Sequence, residues 1–406
     1  MNLNSNIGLV FFLARKGFRQ HFFASLVAAF SIALAGGLLL STLKIQKQTQ
    51  TSFNNASGGF DAVLGARGSK LQLILNALFH LDASPGNLPW EQYELIKNTP
   101  GVKEAYPVAV GDNYLGYRLV GTEPQLFYDH EWKKGEKYKL RQGRIFSEMA
   151  KEALVGSFVA EKLNLKIGDR FQPYHGLNFK EDTQHEDVYV VVGLLEPTGT
   201  PSDKVIWIPI KGIQLMEGHD KEMAQSVSAV LLSLKGATGF NLEIRYNRQG
   251  NQATFAWPVA ATLASFFDKM NWFRGVLQVI AYVIAAVGIL MVASTMHSSL
   301  HERKRDFAIL RSLGSSRLIV TGVIIGHSLL ISLLGVIGSF LIMLGIGSLT
   351  QAIIVEQTGV LLEGMNLQLE DFWVIAGIIL TGLIGGLGAA ISAYRSDLVD
   401  NLQPTA

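Results

Sequence analysis

Few residues in this sequence form the patterns expected of a catalytic or nucleotide-binding site. A nucleotide-binding P-loop requires a Gly-Lys dipeptide, which does not occur in the chain. The sequence contains neither a His-Glu-x-x-His zinc motif nor a Gly-x-Ser-x-Gly nucleophile elbow. The segment from Gly65 to Lys70 is superficially like a phosphate-binding loop, but its spacing differs and it is better placed to cap a helix. The sequence therefore predicts no catalytic and no cofactor-binding residues in this chain.

One polar stretch contains the residue types that bind zinc. His175, Asp182 and His185 lie in it, and Glu186 and Asp187 follow directly. Zinc sites use His and carboxylate ligands, usually at tighter spacing than is found here. A solvated loop is the simpler interpretation, so the first three residues are weak candidates for metal ligands.

The composition indicates a membrane protein that carries one water-soluble domain. Of the 406 residues, 49% are apolar and 17% are charged, and the mean hydropathy is +0.26; soluble domains are about 25% charged. Residues 44–272 hold 25 Lys/Arg and 25 Asp/Glu, which is most of the charge in the chain. The net charge of +2 excludes a strongly basic nucleic-acid binder. With no cysteine, the chain has no disulfides and no thiolate sites.

Four apolar stretches are long enough to cross a bilayer, which takes about 20 helical residues. Apart from Arg274 at an edge, they contain no Lys, Arg, Asp or Glu. We predict transmembrane helices at 22–43, 273–297, 318–347 and 372–392. The polar residues 44–55 could continue the first helix beyond the membrane, and the mixed apolar and basic segment 1–21 suits an amphipathic helix at the inner interface.

The basic residues near these spans predict the orientation. They precede the first span, fill the loop 298–317 and follow the fourth span, whereas the loop 348–371 holds four acidic residues and no basic one. Cytoplasmic loops are enriched in Lys and Arg. We therefore expect both termini, including the tail 393–406, in the cytoplasm and residues 44–272 outside.

The large domain reads as α+β, inserted between the first and second spans. Apolar residues recur at helical spacing across 70–81, and a second helix is expected from Pro89 to Lys97. Runs such as 102–110, 188–195, 205–210 and 225–234 are typical of strands.

The spans also carry rows of small residues, which allow helix backbones to approach closely. They predict a tightly packed bundle or a dimer seam, and the residues are Ala29, Ala33, Gly37, Gly322, Gly326, Gly382 and Gly386. His327 lies within the third span, and we interpret it as a neutral residue bonded to a neighbouring helix. Uncharged spans argue against a polar conduit for ions or hydrophilic solutes.

The loop between the second and third spans is the most informative segment. Phe307, Leu310 and Gly314 share a helical face with Arg303, and Arg305 and Arg311 flank it. Cations that only fix topology would explain the charge but not the apolar side chains. A short amphipathic helix in a chain without its own nucleotide site suits the docking of a separate motor protein.

This loop resembles the signature of FtsX/MacB-type, or type VII, ABC transporter permeases. The family pattern is roughly E-R-x-R-E-I-G-x-L-R-A-x-G-A, and the residues at its characteristic positions here are Glu302, Arg303, Arg305, Asp306, Phe307, Leu310, Arg311 and Gly314. Asp306, Phe307 and Ala308 replace the usual Glu, Ile and Gly, and Val399 replaces a common Pro in the tail. In the large domain, 153–169 and 191–197 are similar to the MacB-type periplasmic domain.

The resemblance implies a bacterial inner-membrane subunit that works by mechanotransmission. In that family two permease copies pair with two ATPases, which hold the ATP and Mg²⁺, and the loop helix couples to the ATPase. Residues 273–400 would form the FtsX-like permease domain, 44–115 with 225–272 a Porter-like part, and 116–224 a Sabre-like part. Because the chain shows no nucleotide-binding domain, we expect the ATPase to be a separate partner. The other expected partners are a second permease, which is an identical or a sister chain, and membrane lipids.

Three functions remain open at this point. The first is export or extraction of a lipoprotein, lipid, peptide or drug-like substrate, with a possible periplasmic adaptor or substrate protein. The second is FtsX-like regulation of a cell-wall hydrolase. The third, motivated by the stretch from His175 to Asp187, is a part in zinc uptake.

Overall fold

The computed structural model describes residues 3–216, 225–248, 250–362, 368–369 and 371–395. Glu363 and Glu370, two of the four acidic residues in the loop 348–371, lie outside these ranges, as does most of the tail 393–406. The chain forms two compact units. The helical unit comprises Met1–Lys47, Met270–Thr350 and Gly364–Ala406. The large unit comprises Gln48–Lys269 and Gln351–Glu363.

Helices dominate the first unit and are interspersed with strands in the second. In chain order they are α1 Leu3–Gln20, α2 Phe22–Asn55, α3 Lys70–Ala77, α4 Trp90–Lys97, α5 Gln125–Asp129, α6 Ser157–Lys162, α7 Ile210–Gln214, α8 Thr238–Tyr246, α9 Val259–Lys269, α10 Asn271–Glu302, α11 Lys304–Ser312, α12 Arg317–Thr358 and α13 Asp371–Arg395. Within the described residues, four helical stretches are long and apolar enough to cross a membrane: Phe22–Phe53, Val259–Glu302, Arg317–Thr358 and Asp371–Arg395.

Small residues allow close packing inside the helical unit. Added β-carbons at Gly382 and Gly386 would collide with Ser332 and Ser328 of α12. In the same way, a β-carbon at Gly338 would lie 2.6 Å from that of Ala33. Added β-carbons at Gly322 and Gly326 would contact Val10 and Ala14 of α1. The small-residue rows therefore serve contacts within this chain.

His327 forms a hydrogen bond between helices of the same unit. Its Nε2 lies 3.0 Å from Ser25 Oγ on α2, and the imidazole is buried. This agrees with the interpretation of His327 as a packed residue bonded to its neighbour.

A single large sheet organises the large unit. The strands are β1 Ala62–Ala66, β2 Leu88–Pro89, β3 Val102–Tyr114, β4 Tyr117–Thr122, β5 Glu131–Lys133, β6 Glu136–Lys137, β7 Leu140–Gly143, β8 Glu152–Val155, β9 Arg170–Phe171, β10 Tyr174–His175, β11 Tyr189–Leu195, β12 Ile206–Pro209, β13 Ser226–Val227, β14 Ala229–Leu234 and β15 Ala253–Ala256. The order in the large sheet is β15-β1-β14-β3-β4-β12-β8-β11-β7, with β10 paired to β3 and β9 to β11. The strands β2 and β13 form one two-stranded sheet, and β5 and β6 form another. The pairs β4–β12 and β8–β11 are parallel.

Both faces of this sheet are buried. Because side chains alternate along a strand, Val230 and Leu232 join one apolar cluster and Ala229 and Leu231 join the other. Helices α4, α6, α7 and α8 contribute to the first cluster, and α3, α5 and α9 to the second. These observations confirm the predicted fold class of four apolar helices with an α+β domain inserted between the first and second.

One predicted helix is shorter in the structure, and one predicted division of the large domain does not coincide with a boundary of the sheet. The helix predicted over 70–81 ends at Ala77, where the Asn76 side chain donates a 2.6 Å hydrogen bond to Asp82 O and His80 adopts a φ of 55°. The sheet also runs through both segments assigned to Porter-like and Sabre-like parts, so that division stays a prediction.

Candidate functional site

The loop between the second and third apolar helices folds as the separate helix α11. Helix α10 ends at Glu302, and Arg303, with φ −104° and ψ 11°, lies between the two helices. After α11, Gly314 adopts a φ of 95°, which favours glycine. The Gly314 N–H donates to Arg311 O and the Ser315 N–H donates to Leu310 O. These turns give the loop a defined start and end.

One face of α11 is anchored in the core of the helical unit. Phe307 and Ala308 are buried, and Leu310 packs against the same cluster while half-buried. The guanidinium of Arg303, itself buried, lies 5.1 Å from the centre of the Phe307 ring. Such cation–π contacts contribute about 0.5–2 kcal/mol. Phe307 and Arg303 therefore position α11, and their side chains are not available to a partner.

The opposite face of α11 is open. Ile309 is 44% exposed and Leu313 is 79% exposed, and the charged Arg305 and Asp306 lie exposed on the same helix. Glu302, at the end of α10, is also exposed and accepts a hydrogen bond from Ser298 Oγ. We call the set Arg305, Asp306, Ile309 and Leu313 the open face. The sequence pattern had grouped Phe307 and Leu310 with the docking residues, because helical spacing alone does not say which face a bundle covers.

Polar contacts join three helices of this unit, towards the end of α2 and at the starts of α10 and α13. Lys44 Nζ on α2 lies 2.6 Å from Asp371 Oδ2, which begins α13, and both side chains are almost fully buried. Lys47 Nζ donates to Gln368 Oε1 at 2.8 Å. The Gln46 side chain pairs with Asn271 at the start of α10, and Arg274 also donates to Gln46 Oε1. Three apolar helices are thus tied together by hydrogen bonds at one end.

A second contact lies in the large unit, where the end of α12 and the residues after it pack onto the domain. We call residues 351–362 the α12 extension. Val360 is completely buried in one of the two apolar clusters of the sheet. The Leu361 N–H donates to Gly199 O at 3.2 Å, and Lys204 Nζ donates to Gln357 O at 2.7 Å. Lys162 Nζ lies 2.7 Å from Glu356 Oε2.

The turn that receives the α12 extension is organised by Asp203. Its carboxylate accepts the backbone N–H groups of Thr198 and Gly199, at 2.7–3.0 Å, and the Thr198 hydroxyl at 2.9 Å. Burial raises the pKa of Asp203, while these donors act in the opposite direction. Burial also lowers the pKa of Lys204, which Glu356 partly opposes. These hydrogen bonds give the turn a defined conformation where the extension packs on it.

The structure brings two of the three weak metal candidates together. His175 Nδ1 lies 3.5 Å and His185 Nε2 lies 3.2 Å from the same oxygen of Asp112, Oδ1. Asp182 lies on an exposed 3₁₀ turn, Glu181–Thr183, and is not part of this group. Asp112 was not a candidate, because it lies on β3, far from the histidines in sequence, and only strand pairing reveals it.

Two family models match this chain. Residues 25–242 match the family model of the MacB-like periplasmic core domain, and residues 278–397 match the FtsX-like permease C-terminal model.

Two solved structures are similar to about half of this chain at low identity. The crystal structure of the periplasmic region of MacB from Actinobacillus actinomycetemcomitans is 11% identical, with 52% of this chain and 94% of that chain covered and a TM-score of 0.34. The extracellular domain of the noncanonic ABC-type transporter YknZ from Gram-positive bacteria is 16% identical, with 48% and 97% covered and a TM-score of 0.29. On the strength of the two family models, which together span most of the sequence, this chain belongs to the FtsX/MacB-type ABC transporter permeases.

Proposed function

We propose that this chain is a permease subunit that couples ATP hydrolysis by a separate ATPase to movement of its large domain. The ATPase, which carries the ATP and Mg²⁺, docks on the open face of α11 in the cytoplasm. The large domain lies on the periplasmic side of the bacterial inner membrane, where its movement exports or extracts a lipoprotein, lipid, peptide or drug-like substrate.

The observation that carries this proposal is the two-sided character of α11. Its buried side, with Phe307, packs in the helical core, so that a displacement of α11 would act on the bundle. Its open side presents the apolar Ile309 and Leu313 beside the charged Arg305 and Asp306. Apolar residues bordered by charges are typical of a protein contact rather than of a solvated loop. A push on the open face is therefore passed to the spans.

The spans are suited to passing on force rather than solute. Their central segments contain no charged residue, and the glycine contacts between α12 and α13 leave no space for an added methyl group at Gly382. Packed protein interiors resist compression and transmit strain. A hydrophilic substrate would find no charged lining along such a path.

The same helices continue into the large domain. Helix α2 runs unbroken from Phe22 to Asn55, and α12 from Arg317 to Thr358, and the final residues of each belong to the large unit. Within the α12 extension, Val360 is buried in an apolar cluster of the sheet. Movement of α12 would thus be delivered to the domain through buried contacts as well as through the chain itself.

Site-specific crosslinking tests the docking step directly, because the protein has no natural cysteine. Ile309→Cys or Leu313→Cys, in full-length protein in native membranes, should crosslink to a protein with a nucleotide-binding domain. Phe240→Cys, on an exposed residue of the large domain, is the matched control and should not. A crosslink from Phe240→Cys alone would contradict the proposed docking and orientation.

The protein or lipid that binds the large domain distinguishes export from the alternative, regulation of a cell-wall hydrolase. A cell-wall hydrolase crosslinked to Phe240→Cys in an ATP-dependent manner would favour regulation. A periplasmic adaptor, a lipoprotein or a lipid in that position would favour export. In both cases the partners expected in the membrane are a second permease chain and the ATPase pair.

A further inference from the structure

Asp112, His175 and His185 form a cluster of metal-ligating side chains in the large unit. One potential ligand atom from each residue lies within 4.8 Å of the others. Asp112 is completely buried and His185 nearly so, whereas His175 is exposed. The cluster is therefore built into the domain on one side and open to solvent on the other.

The fold positions these residues through strand register. Strand β10 pairs with β3 in the antiparallel direction, and this register places His175 directly opposite Asp112. The pairing of β3 with β4 contains an irregularity between Val110 and Asn113, next to Asp112. Such bulges often redirect a side chain beside a functional site.

Hydrogen bonds around the cluster hold the segment with the two histidines against β3. The Asn113 side chain donates to Gly176 O at 2.8 Å, just after His175. The His185 N–H donates to Pro173 O at 2.8 Å, and the Gln172 side chain donates to His185 O at 3.2 Å. Contacts of this kind orient ligands before a metal binds.

The two distances from Asp112 to the imidazole nitrogens match those between ligands of one metal ion. Zn²⁺ lies about 2.0–2.2 Å from its nitrogen and oxygen ligands in a tetrahedron, so two ligand atoms lie about 3.4 Å apart. Asp112 Oδ1 lies 3.2 Å and 3.5 Å from the two imidazole nitrogens. The shorter contact is also a hydrogen bond between His185 and Asp112. The observation that points to a metal is that one ligand atom from each of the three residues lies within 4.8 Å of the others.

We propose that Asp112, His175 and His185 bind a divalent transition metal of the zinc class, with a fourth coordination position open to water or a ligand. Two imidazoles and one carboxylate suit zinc and its neighbours better than the hard ions Mg²⁺ or Ca²⁺, which take oxygen ligands. The exposed His175 gives the metal access from solvent. The proposal does not depend on the ATPase or on the proposed transport activity.

Equilibrium metal binding by the full-length protein in detergent tests this site. The protein is stripped with a chelator, dialysed against Zn²⁺ and analysed for bound metal, and its affinity is measured by competition with a chromophoric chelator. We expect one zinc per chain. Because loss of an outer-shell partner alone weakens metal sites 10–100-fold, His175→Ala should weaken binding by about 100-fold or more.

Two matched variants control for non-specific binding. Asp182→Ala removes an exposed acid from the same segment, and His297→Ala removes an exposed histidine elsewhere, so both should bind zinc like the natural protein. His175 is exposed, so its variant should fold even if Asp112→Asn does not. Cobalt(II) in place of zinc should give the intense visible absorption of tetrahedral coordination, and His175→Ala should lose it. Binding of less than stoichiometric zinc, or equal affinity in His175→Ala and Asp182→Ala, would overturn the proposal.

Discussion

Lys44 and Asp371 form a buried ion pair that joins the first apolar helix to the start of the fourth. Lys44 Nζ lies 2.6 Å from Asp371 Oδ2, and the side chains are 6% and 5% exposed. Asp371 Oδ2 also accepts the Gln368 N–H at 2.7 Å, so the same carboxylate fixes the turn that precedes its helix. The pair fixes the ends of two helices that must move together if the bundle passes on force.

Removing one partner of this pair should destabilise the helical unit strongly. Asp371→Asn removes the carboxylate charge that lies against the buried Lys44 ammonium, and loss of one partner of a buried pair costs about 3–5 kcal/mol. Thermal unfolding of the purified protein in detergent would show this as a lower Tm. The double variant Lys44→Met/Asp371→Asn, which also removes the stranded charge, should recover much of the loss. Equal Tm values for the single and double variants would show that the two charges do not interact.

Glycines at helix contacts should tolerate substitution according to what faces them. Gly382→Ala places a β-carbon against Ser332 Oγ, so we expect a destabilisation of about 1–3 kcal/mol from overpacking. Gly388→Ala on the same helix meets no atom within 4 Å and should be neutral or slightly stabilising. Melting curves of the two proteins provide the comparison. A lower Tm for Gly388→Ala than for Gly382→Ala would mean that α13 does not pack on α12 as described.

Substitutions on the two faces of α11 should have different consequences. Ile309→Asp or Leu313→Asp introduces a charge on the open face and should reduce stimulation of the partner ATPase about tenfold or more, a loss of about 1.4 kcal/mol or more in binding. The Tm should remain unchanged, because these side chains are exposed.

Leu310→Asp is the informative counterpart, because Leu310 packs against the helical core. It should lower the Tm as well as the ATPase stimulation. If Ile309→Asp and Leu313→Asp stimulate the ATPase normally, the open face is not its docking site.

The α12 extension should depend on Val360 rather than on the residue next to it. Val360→Asp buries a charge in the apolar core of the large unit and should expose residues 351–362 to amide hydrogen exchange. Leu361→Asp changes a side chain that is 49% exposed and keeps the backbone bond to Gly199, so exchange should change little. Similar exchange in both variants would contradict the docking of this segment.

The large unit should lose stability on acidification because of His80. Burial, with a further effect of the positive charge of Arg118, lowers the pKa of His80 from 6.5 to about 3. Lys204 lines the same pocket and adds another positive charge. An unfolded chain takes up a proton below about pH 6.5. In the folded chain His80 takes up this proton only when the pH approaches its lowered pKa of about 3. The free energy of unfolding therefore declines as the pH falls from 6.5 towards 3.

The expected contribution of His80 is about 2 kcal/mol at pH 5 relative to pH 7. Thermal unfolding between pH 7 and pH 5 measures it. His80→Asn, chosen because asparagine tolerates the positive φ at this position, should flatten the dependence. An unchanged pH dependence in this variant would assign the effect to other groups.

The features that the sequence predicts are those encoded locally. Charge-free apolar runs predict the four helices, and the signature around Arg303 predicts the family. The bounds of the elements are predicted less closely from the sequence. Helix α3, for example, ends where the Asn76 side chain forms a hydrogen bond with the backbone oxygen of Asp82.

Contacts between distant residues could not be predicted from a single sequence. Asp112 is brought to His175 only by the pairing of β10 with β3, and Val360 reaches the sheet only through the fold of the large unit. Amphipathic spacing on α11 likewise marks Phe307 and Ile309 equally as apolar. Which of them faces the core depends on the packing of the other helices.

The central claim is that ATP turnover moves the large domain relative to the spans, and a spin-label distance measures this most directly. Labels at Phe240→Cys in the large unit and Trp373→Cys on α13, both exposed in a chain without natural cysteine, report distances between the large domain and the spans. With the ATPase bound, we predict that the distance distribution shifts between the nucleotide-free and ATP-trapped states, and that Ile309→Asp abolishes the shift. The same distribution in both states, while ATP is being hydrolysed by the bound ATPase, would contradict the account.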